Sequence, residues 1–307
     1  MHPSPPILML LTRTLINAAA LIVLLAAAPV CGYGASPVWK VSNGENYLYL
    51  GGTIHLLSIT DYPLPDAFKE AYRNAERLIL EIDIQAMNAP EVQRALMTTL
   101  IYPGDTTIAD TLQPATFARL KEYLEKRNLY SSVLLKFKPG LLIVTLTTIE
   151  LQKLGMGSDG VDVYFDELAR NDGKPRGFLE SIEEQLRFLA EMGVGNEDAL
   201  ILQQLEDLEN LPAMLAQLKE SWRRGDVDGL ARIAIDPWRE QFPEIYETLL
   251  ARRNARWISD IETMMESPEI EMVLVGALHL AGEDGLLALL ADQGYDIENL
   301  QSPHREP

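Results

Sequence analysis

The sequence is almost without cysteine: its 307 residues include one, Cys31. If that residue leaves with an N-terminal leader, the exported chain has no disulfide, no thiolate metal site and no cysteine nucleophile. Its core must then suffice alone. Cations are also scarce. The 26 Lys and Arg face 45 Asp and Glu, a formal net charge of −19. That balance argues against a nucleic-acid binder, which needs clustered Lys and Arg to release counterions, and against a polybasic grip on anionic lipid. No G-x-S-x-G or H-E-x-x-H motif occurs, so serine-hydrolase and zincin chemistry have no support. The glycine-rich stretch Gly155–Gly160 lacks the lysine and the preceding strand of a phosphate loop. Asp159, Gly160 and Asp162 supply too few oxygens for a calcium loop.

What is present describes a globular chain. Hydrophobic residues make up 47% and charged residues 23%, which excludes a disordered chain and suits one large domain or two at most. The first 34 residues stand apart. Arg13 is their only charged side chain, and Leu15–Ala28 is an apolar run. The run falls short of the roughly 20 residues that cross a bilayer as a helix, and with the small residues after it reads as a signal peptide over 1–34. A periplasmic or secreted protein is expected, with membrane attachment only if the leader is uncleaved and acts as an inner-membrane anchor.

The rest reads as one domain over 35–307. Trp39–Val41 and Tyr47–Leu50, joined by a polar turn, predict a hairpin running into Gly51-Gly52. Leu78–Asp83, Arg176–Glu180, Met272–Gly276 and Tyr295–Leu300 read as strands, separated by helices. Pro65–Arg77, Pro114–Lys126, Val161–Arg170, Pro243–Met265 and Glu283–Gln293 read as helices, as does the run from Pro139 to Leu154, closed by Gly155. Ser181 and Glu184 have capping-box spacing. Between Asn196 and Arg224, apolar residues recur every 3 or 4 positions, but Pro212 interrupts them and predicts a helical hairpin. Strands alternating with helices imply an α/β fold: a central mixed or mostly parallel sheet flanked by helices, with helical insertions near 104–150 and 196–267.

Histidine is rare, and its placement is informative. His2 lies in the leader and His304 in the tail; the other two share one context. Gly52-Thr53-Ile54-His55-Leu56 follows the strand YLYL, and Gly276-Ala277-Leu278-His279-Leu280 follows EMVLV. Each is an apolar strand followed by G-x-x-H-L. A histidine leaving the carboxyl end of a strand stands where open α/β sheets bind ligands. Two neutral imidazoles brought together there form a natural first-row metal site. The plain alternative is that each is a satisfied core or capping residue; the shared pattern weighs against it.

The chain resembles the TraB/PrgY/GumN family, related to the Tiki metalloproteases and more distantly to erythromycin-esterase-like proteins. The resemblance rests on GGTIHLL (51–57), LILEID (78–83), GSDGVDVYF (157–165), GFLESIEEQ (177–185), RRNARW (252–257) and VGALHLAGEDGLLALLADQGYDI (275–297). It implies an α/β core with both G-x-x-H histidines in one site. Through the Tiki-like relatives it also implies metal-dependent peptidase activity with Mn2+ or Co2+ favoured, Zn2+ staying open. Some bacterial members are linked to peptide-pheromone shutdown and others to polysaccharide loci.

Glu81 and Glu180 each end a strand, so both reach the histidines' edge if the strands are parallel. The expected site has His55, His279 and Glu81 as metal ligands and Glu180 as the base toward a bound water, with the two glutamates exchangeable. Each could equally be an exposed strand-end acid. Asp162 opens a helix, where capping is the plain role; the resemblance adds it as a secondary site residue. Arg253 and Asn254 lie in a cationic helix with Arg252 and Arg256. An arginine facing the site could stabilise an oxyanion or hold a substrate carboxylate; otherwise it belongs to a salt-bridged surface helix. The expectation is an exported metal-dependent hydrolase, peptidase-like, acting on a peptide or an envelope protein segment. The alternatives are a non-catalytic periplasmic binding protein and a metal-free, histidine-based, esterase-like hydrolase.

Overall fold

A computed structural model describes residues 33–303. His2, Cys31, His304 and nearly all of the expected leader lie outside the described residues. Tyr33–Gly34 pairs antiparallel with Ser302–Pro303. Ala35–Gln301 forms a separate compact unit that contains every candidate site residue. No helix of the described residues is long and apolar enough to cross a membrane.

A six-stranded mixed sheet organises this unit. Its strands are β1 (Val38–Ser42), β2 (Tyr47–Thr53), β4 (Arg77–Leu80), β6 (Arg176–Phe178), β7 (Glu271–Gly276) and β8 (Asp296–Asn299). The spatial order is β6-β4-β7-β2-β1-β8. The first four run parallel to one another, and β1 pairs antiparallel with β2 and β8. All four parallel strands therefore point their carboxyl ends to one rim. A short ribbon, β3 (Leu56–Leu57) with β5 (Ser158–Asp159), forms where the sequence reads as loop.

Alternation along the strands supplies both faces. Leu78, Leu80, Met272 and Leu274 pack on α1 (Asp66–Asn74) and α5 (Val161–Asp172) through Phe68, Ala71, Tyr72, Phe165 and Ala169. On the opposite face, Leu48, Leu50, Ile79, Val273 and Val275 meet α8 (Arg252–Met264) and α9 (Leu286–Asp292) through Trp257, Ile261 and Leu290. Burial on both faces explains the continuous apolar run EMVLV. The strand β2 continues through Gly51-Gly52 instead of ending there. A Cβ at Gly51 would stand 2.7 Å from Leu274 Cδ2, so glycine lets the two layers close up.

Helices beyond the sheet form their own cluster. It joins α3 (Pro114–Lys126), α4 (Pro139–Lys153) and α7 (Glu197–Arg223) through Leu120, Leu124, Leu142, Leu146, Leu205 and Leu208. The hairpin expected at Pro212 does not form: α7 is one helix of 27 residues with the proline inside it. An interior proline costs a helix about 3 kcal/mol. Each fully buried leucine returns roughly 1.5–3 kcal/mol, and Leu200, Ile201, Leu205, Leu208, Leu211 and Trp222 are buried along this helix, so packing prevails. The capping box at Ser181 forms as expected and starts α6 (Ile182–Glu191).

Candidate active site

Four consecutive strands deliver four side chains to the same rim. Beyond β6 comes Glu180, beyond β4 Glu81, beyond β7 His279 and beyond β2 His55. Their meeting point is Gly276. A Cβ built there would lie 3.4 Å from Glu81 Oε1, 3.7 Å from His279 Cδ2 and 3.7 Å from His55 Nε2. The two histidines, 224 positions apart in the chain, thus converge on one spot where the backbone carries no side chain.

Each imidazole is oriented from behind. His55 Nδ1 is 3.0 Å from Asp162 Oδ2. The approach depends on Gly160, whose Cβ would collide with the His55 carbonyl, and on the Val161 N–H donating to Ile54 O at 3.1 Å. These contacts seat the first turn of α5 beside His55. His279 Nδ1 is 2.6 Å from Asn254 Oδ1. The Asn254 amide orientation is set by its Nδ2, which donates to the carbonyls of His279 at 3.2 Å and Asp284 at 2.7 Å. His279 therefore carries its proton on Nδ1. His279 also packs against Trp257, with centroids 4.5 Å apart and the rings tilted by 45°.

Arg253 lies between the acids. Its Nη2 donates to Glu81 Oε2 at 2.6 Å and to Glu180 Oε1 at 2.5 Å, and its Nε donates to Glu180 Oε2 at 3.1 Å. Nη1 donates to Leu249 O and to His279 Nε2, both at 3.0 Å. A guanidinium has five N–H donors, and all five are engaged. In this arrangement Arg253 has none left for an oxyanion. Glu180, its side chain fully buried, also accepts from Arg256 Nη2 at 2.9 Å. It is a carboxylate held between two arginines, without a free edge to act as a base.

The environments drive the titrations apart. Desolvation keeps the buried His279 neutral, down to about 3. Glu81 falls to about 2: burial opposes its charge, but the Arg253 guanidinium, the His55 imidazolium and the Gly276 N–H, at 2.6 Å, outweigh it. Desolvation also opposes the charge of His55, yet the Asp162 carboxylate prevails and carries it up to about 9. The His55 side chain is 65% exposed, at the mouth of a cavity of about 330 Å³. Glu81, Asp162, Thr53 and Gln185 line this cavity, with Leu80, Ile82, Ile84, Val163 and Leu274 as its apolar part.

All seven predicted site residues gather at this rim: His55, His279, Glu81, Glu180, Asp162, Arg253 and Asn254. The donor types suit a divalent ion, since both histidines have Nδ1 tied to an oxygen, the usual backing of a metal-bound imidazole. The arrangement as it stands does not. The lone pair of His279 Nε2 is taken by Arg253, and among the described residues no group of three His, Cys, Asp or Glu is placed to hold a metal ion.

Sequence reasoning missed three residues. Arg256, named from the sequence only as part of the cationic helix, joins Arg253: α8 brings positions i and i+3 to Glu180, while Arg252 faces Glu247 on the outside. Gln185 donates to Glu81 Oε2 at 3.4 Å, its signal being one turn of α6 beyond Glu180. Thr53 sits two residues before His55, inside the first G-x-x-H.

Comparison with known proteins identifies the family. The model of the TraB/PrgY/gumN family matches residues 37–299. The chain belongs to this family. Among its relatives is the uncharacterized protein YbaP of Escherichia coli strain K12, 24% identical over 248 residues, covering 80% of this chain and 89% of YbaP. YbaP of Shigella flexneri aligns to the same extent. The metalloprotease TIKI2 of Danio rerio is 22% identical over 329 aligned positions, covering 88% of this chain and 61% of TIKI2. No solved structure matches.

Proposed function

We propose that this TraB/PrgY/gumN protein is an exported hydrolase of peptides or envelope protein segments, working with the His55–Asp162 pair as its acid–base centre. The observation that carries the reading is that pair. A carboxylate fixes Nδ1–H of an imidazole whose Nε2 faces a cavity beside Glu81. This is the orienting logic by which a carboxylate holds a histidine base in the correct tautomer. The neutral form of His55 takes a proton from water at Nε2, and the resulting imidazolium returns it to the leaving group. The α5 amino terminus, at Asp162 and Val163, offers its partial positive charge to the developing oxyanion. Arg253 holds Glu81, Glu180 and His279 in register. Export is proposed from the leader at 1–34, and N-terminal sequencing of the mature protein tests it.

A second reading keeps divalent-metal dependence (Mn2+, Co2+ or Zn2+). The Nδ1 backing of both histidines and the similarity to a metalloprotease favour it. It requires Arg253 to withdraw from His279 Nε2. Purified protein, assayed on a fluorogenic peptide library with and without chelation, separates the readings. The first expects hydrolysis that survives chelation and drops more than about 100-fold in His55→Ala. Activity abolished by chelation and restored by one of these ions would replace it with the second. Ligand binding without turnover of any peptide would instead identify a non-catalytic binding protein.

A further inference from the structure

A second pocket, of about 240 Å³, lies beside the anchor of Arg253. Leu249, whose carbonyl accepts from Arg253, lines it, and so does Phe188, whose ring centroid is 5.7 Å from the guanidinium. On α6, Phe188 follows Gln185 of the first cavity by one turn, about 5 Å along the axis. The pocket and the cavity are therefore neighbours along one helix. Its volume falls below the roughly 300–1,000 Å³ of small-molecule sites and suits a single side chain.

The lining is apolar on one part and acidic on another. Met192 and Phe242 are buried beneath it, and Val194, 68% exposed, carries the apolar surface out to solvent. Glu191 ends α6, and Glu244 lies in the short helix Pro243–Tyr246; both line the pocket. Among the described residues, neither carboxylate has a hydrogen bond or an ion pair, and no Lys or Arg lines the pocket. The carboxylates nearer the rim differ: Glu81, Glu180 and Glu184 are each paired with an arginine. The carboxyl end of α6 adds the negative end of its helix dipole beside Glu191. An anion is thus repelled. A group with an apolar stem and a cationic head matches both parts, since such side chains lay the stem on apolar surface and keep the charge at a wet, polar edge. Arg253 does not oppose it strongly, because its own charge is matched by Glu81 and Glu180. We propose that this pocket is a subsite for one basic side chain of a peptide, with Glu191 and Glu244 receiving its charge. The identity of that peptide as substrate rests on the hydrolase reading of the first cavity; the binding of a basic side chain does not.

The test has two arms. In the first, N-acetyl-lysine N-methylamide and its norleucine counterpart are titrated into the full protein, and backbone amide shifts of Gly193 and Thr248, both in the lining, are followed. Salt at about 0.15 M screens the rest of the acidic surface beyond roughly 8 Å. Lysine is expected to bind about fivefold more tightly than norleucine, the worth of two exposed ion pairs. Glu191→Gln combined with Glu244→Gln, two exposed positions, should melt with the parent and bind both probes equally. Equal binding by the parent, shifts elsewhere than this pocket, or a lysine preference that survives in the double variant overturns the proposal. In the second arm, peptides with a basic residue should show a lower KM in hydrolysis, and the double variant should erase that difference while leaving kcat unchanged. Lysine binding here without any such KM difference overturns the substrate role. A protein that binds lysine here but hydrolyses no peptide keeps the subsite and loses only the catalytic reading.

Discussion

At the scale of single residues, the rim separates side chains that hold the fold from side chains that face the cavity. Glu180 is fully buried between Arg253 and Arg256, and removing one partner of such a pair leaves a charge uncompensated. Glu180→Ala is therefore expected to cost about 3 kcal/mol of stability, read as a lower midpoint in urea unfolding. His55 is largely exposed, and His55→Ala should cost less than about 1 kcal/mol of stability while producing the large drop expected of the proposed hydrolysis. Gly276→Ala is a third case. Its backbone at φ −52°, ψ 135° suits alanine, and the new Cβ would meet its neighbours at 3.4 Å or more. The variant should melt near the parent yet lose activity, because the methyl group stands where His55, His279 and Glu81 face one another. Melting well below the parent would show that this glycine serves the fold instead.

At the scale of elements, what the chain's pattern shows and what it hides have separate causes. Periodicity is local, and helices such as α3 and α4 begin where Pro114 and Pro139 predict. The glycine-rich stretch 155–160 conceals one half of the β3–β5 ribbon, because two-residue pairings leave no alternation to detect. The proline of α7 misleads for the converse reason: its cost is local, and the burial that overrides it lies on other helices. Pro212→Ala should therefore stabilise the protein, by about 1 kcal/mol or more in calorimetry, with no change of fold. A loss of stability would mean that the ring's own packing outweighs the missing hydrogen bond. Just before α8 the chain makes a π turn, Glu247–Ala251, and the carbonyl of Leu249 within it accepts from Arg253. Such turns gather at functional sites, and this one anchors the arginine at the centre of the rim.

At the scale of the whole molecule, the site's titrations shape stability across pH. Glu81 and His279 both have folded pKa values below their unfolded ones. Glu81 contributes fully above about 4.5 and loses that contribution as pH falls toward about 2. His279 must stay neutral in the fold, so acid also works against it from about 6.5 down toward 3. His55 is shifted the other way: its contribution is complete below about 6.5 and fades as pH rises through about 9. Melting temperature measured against pH should therefore fall steeply on the acid side and more gently on the alkaline side. His55→Ala should flatten the alkaline limb, whose size is limited by the exposure of that side chain, and ease the acid limb as well, because His55 is one of the groups that lower Glu81. If hydrolysis uses neutral His55, kcat/KM should rise with pH and level off near 9.

By itself the sequence determined the class of the molecule and named seven of the residues that gather at one rim. Apolar alternation, prolines at helix starts and the twice-used G-x-x-H are local signals, readable without a fold. Only the tertiary structure decided what those members do to one another. Parallel strands bring four rim positions together, and a helix from the other side inserts Arg253 among them. The five donors of that guanidinium then commit Glu180 to a structural role and leave His55 with Asp162 facing the cavity. Hydrogen bonding in the site depends on separations of a few ångströms between residues as distant in the chain as Gly276 and Glu81, 195 positions apart, and no local pattern encodes such distances.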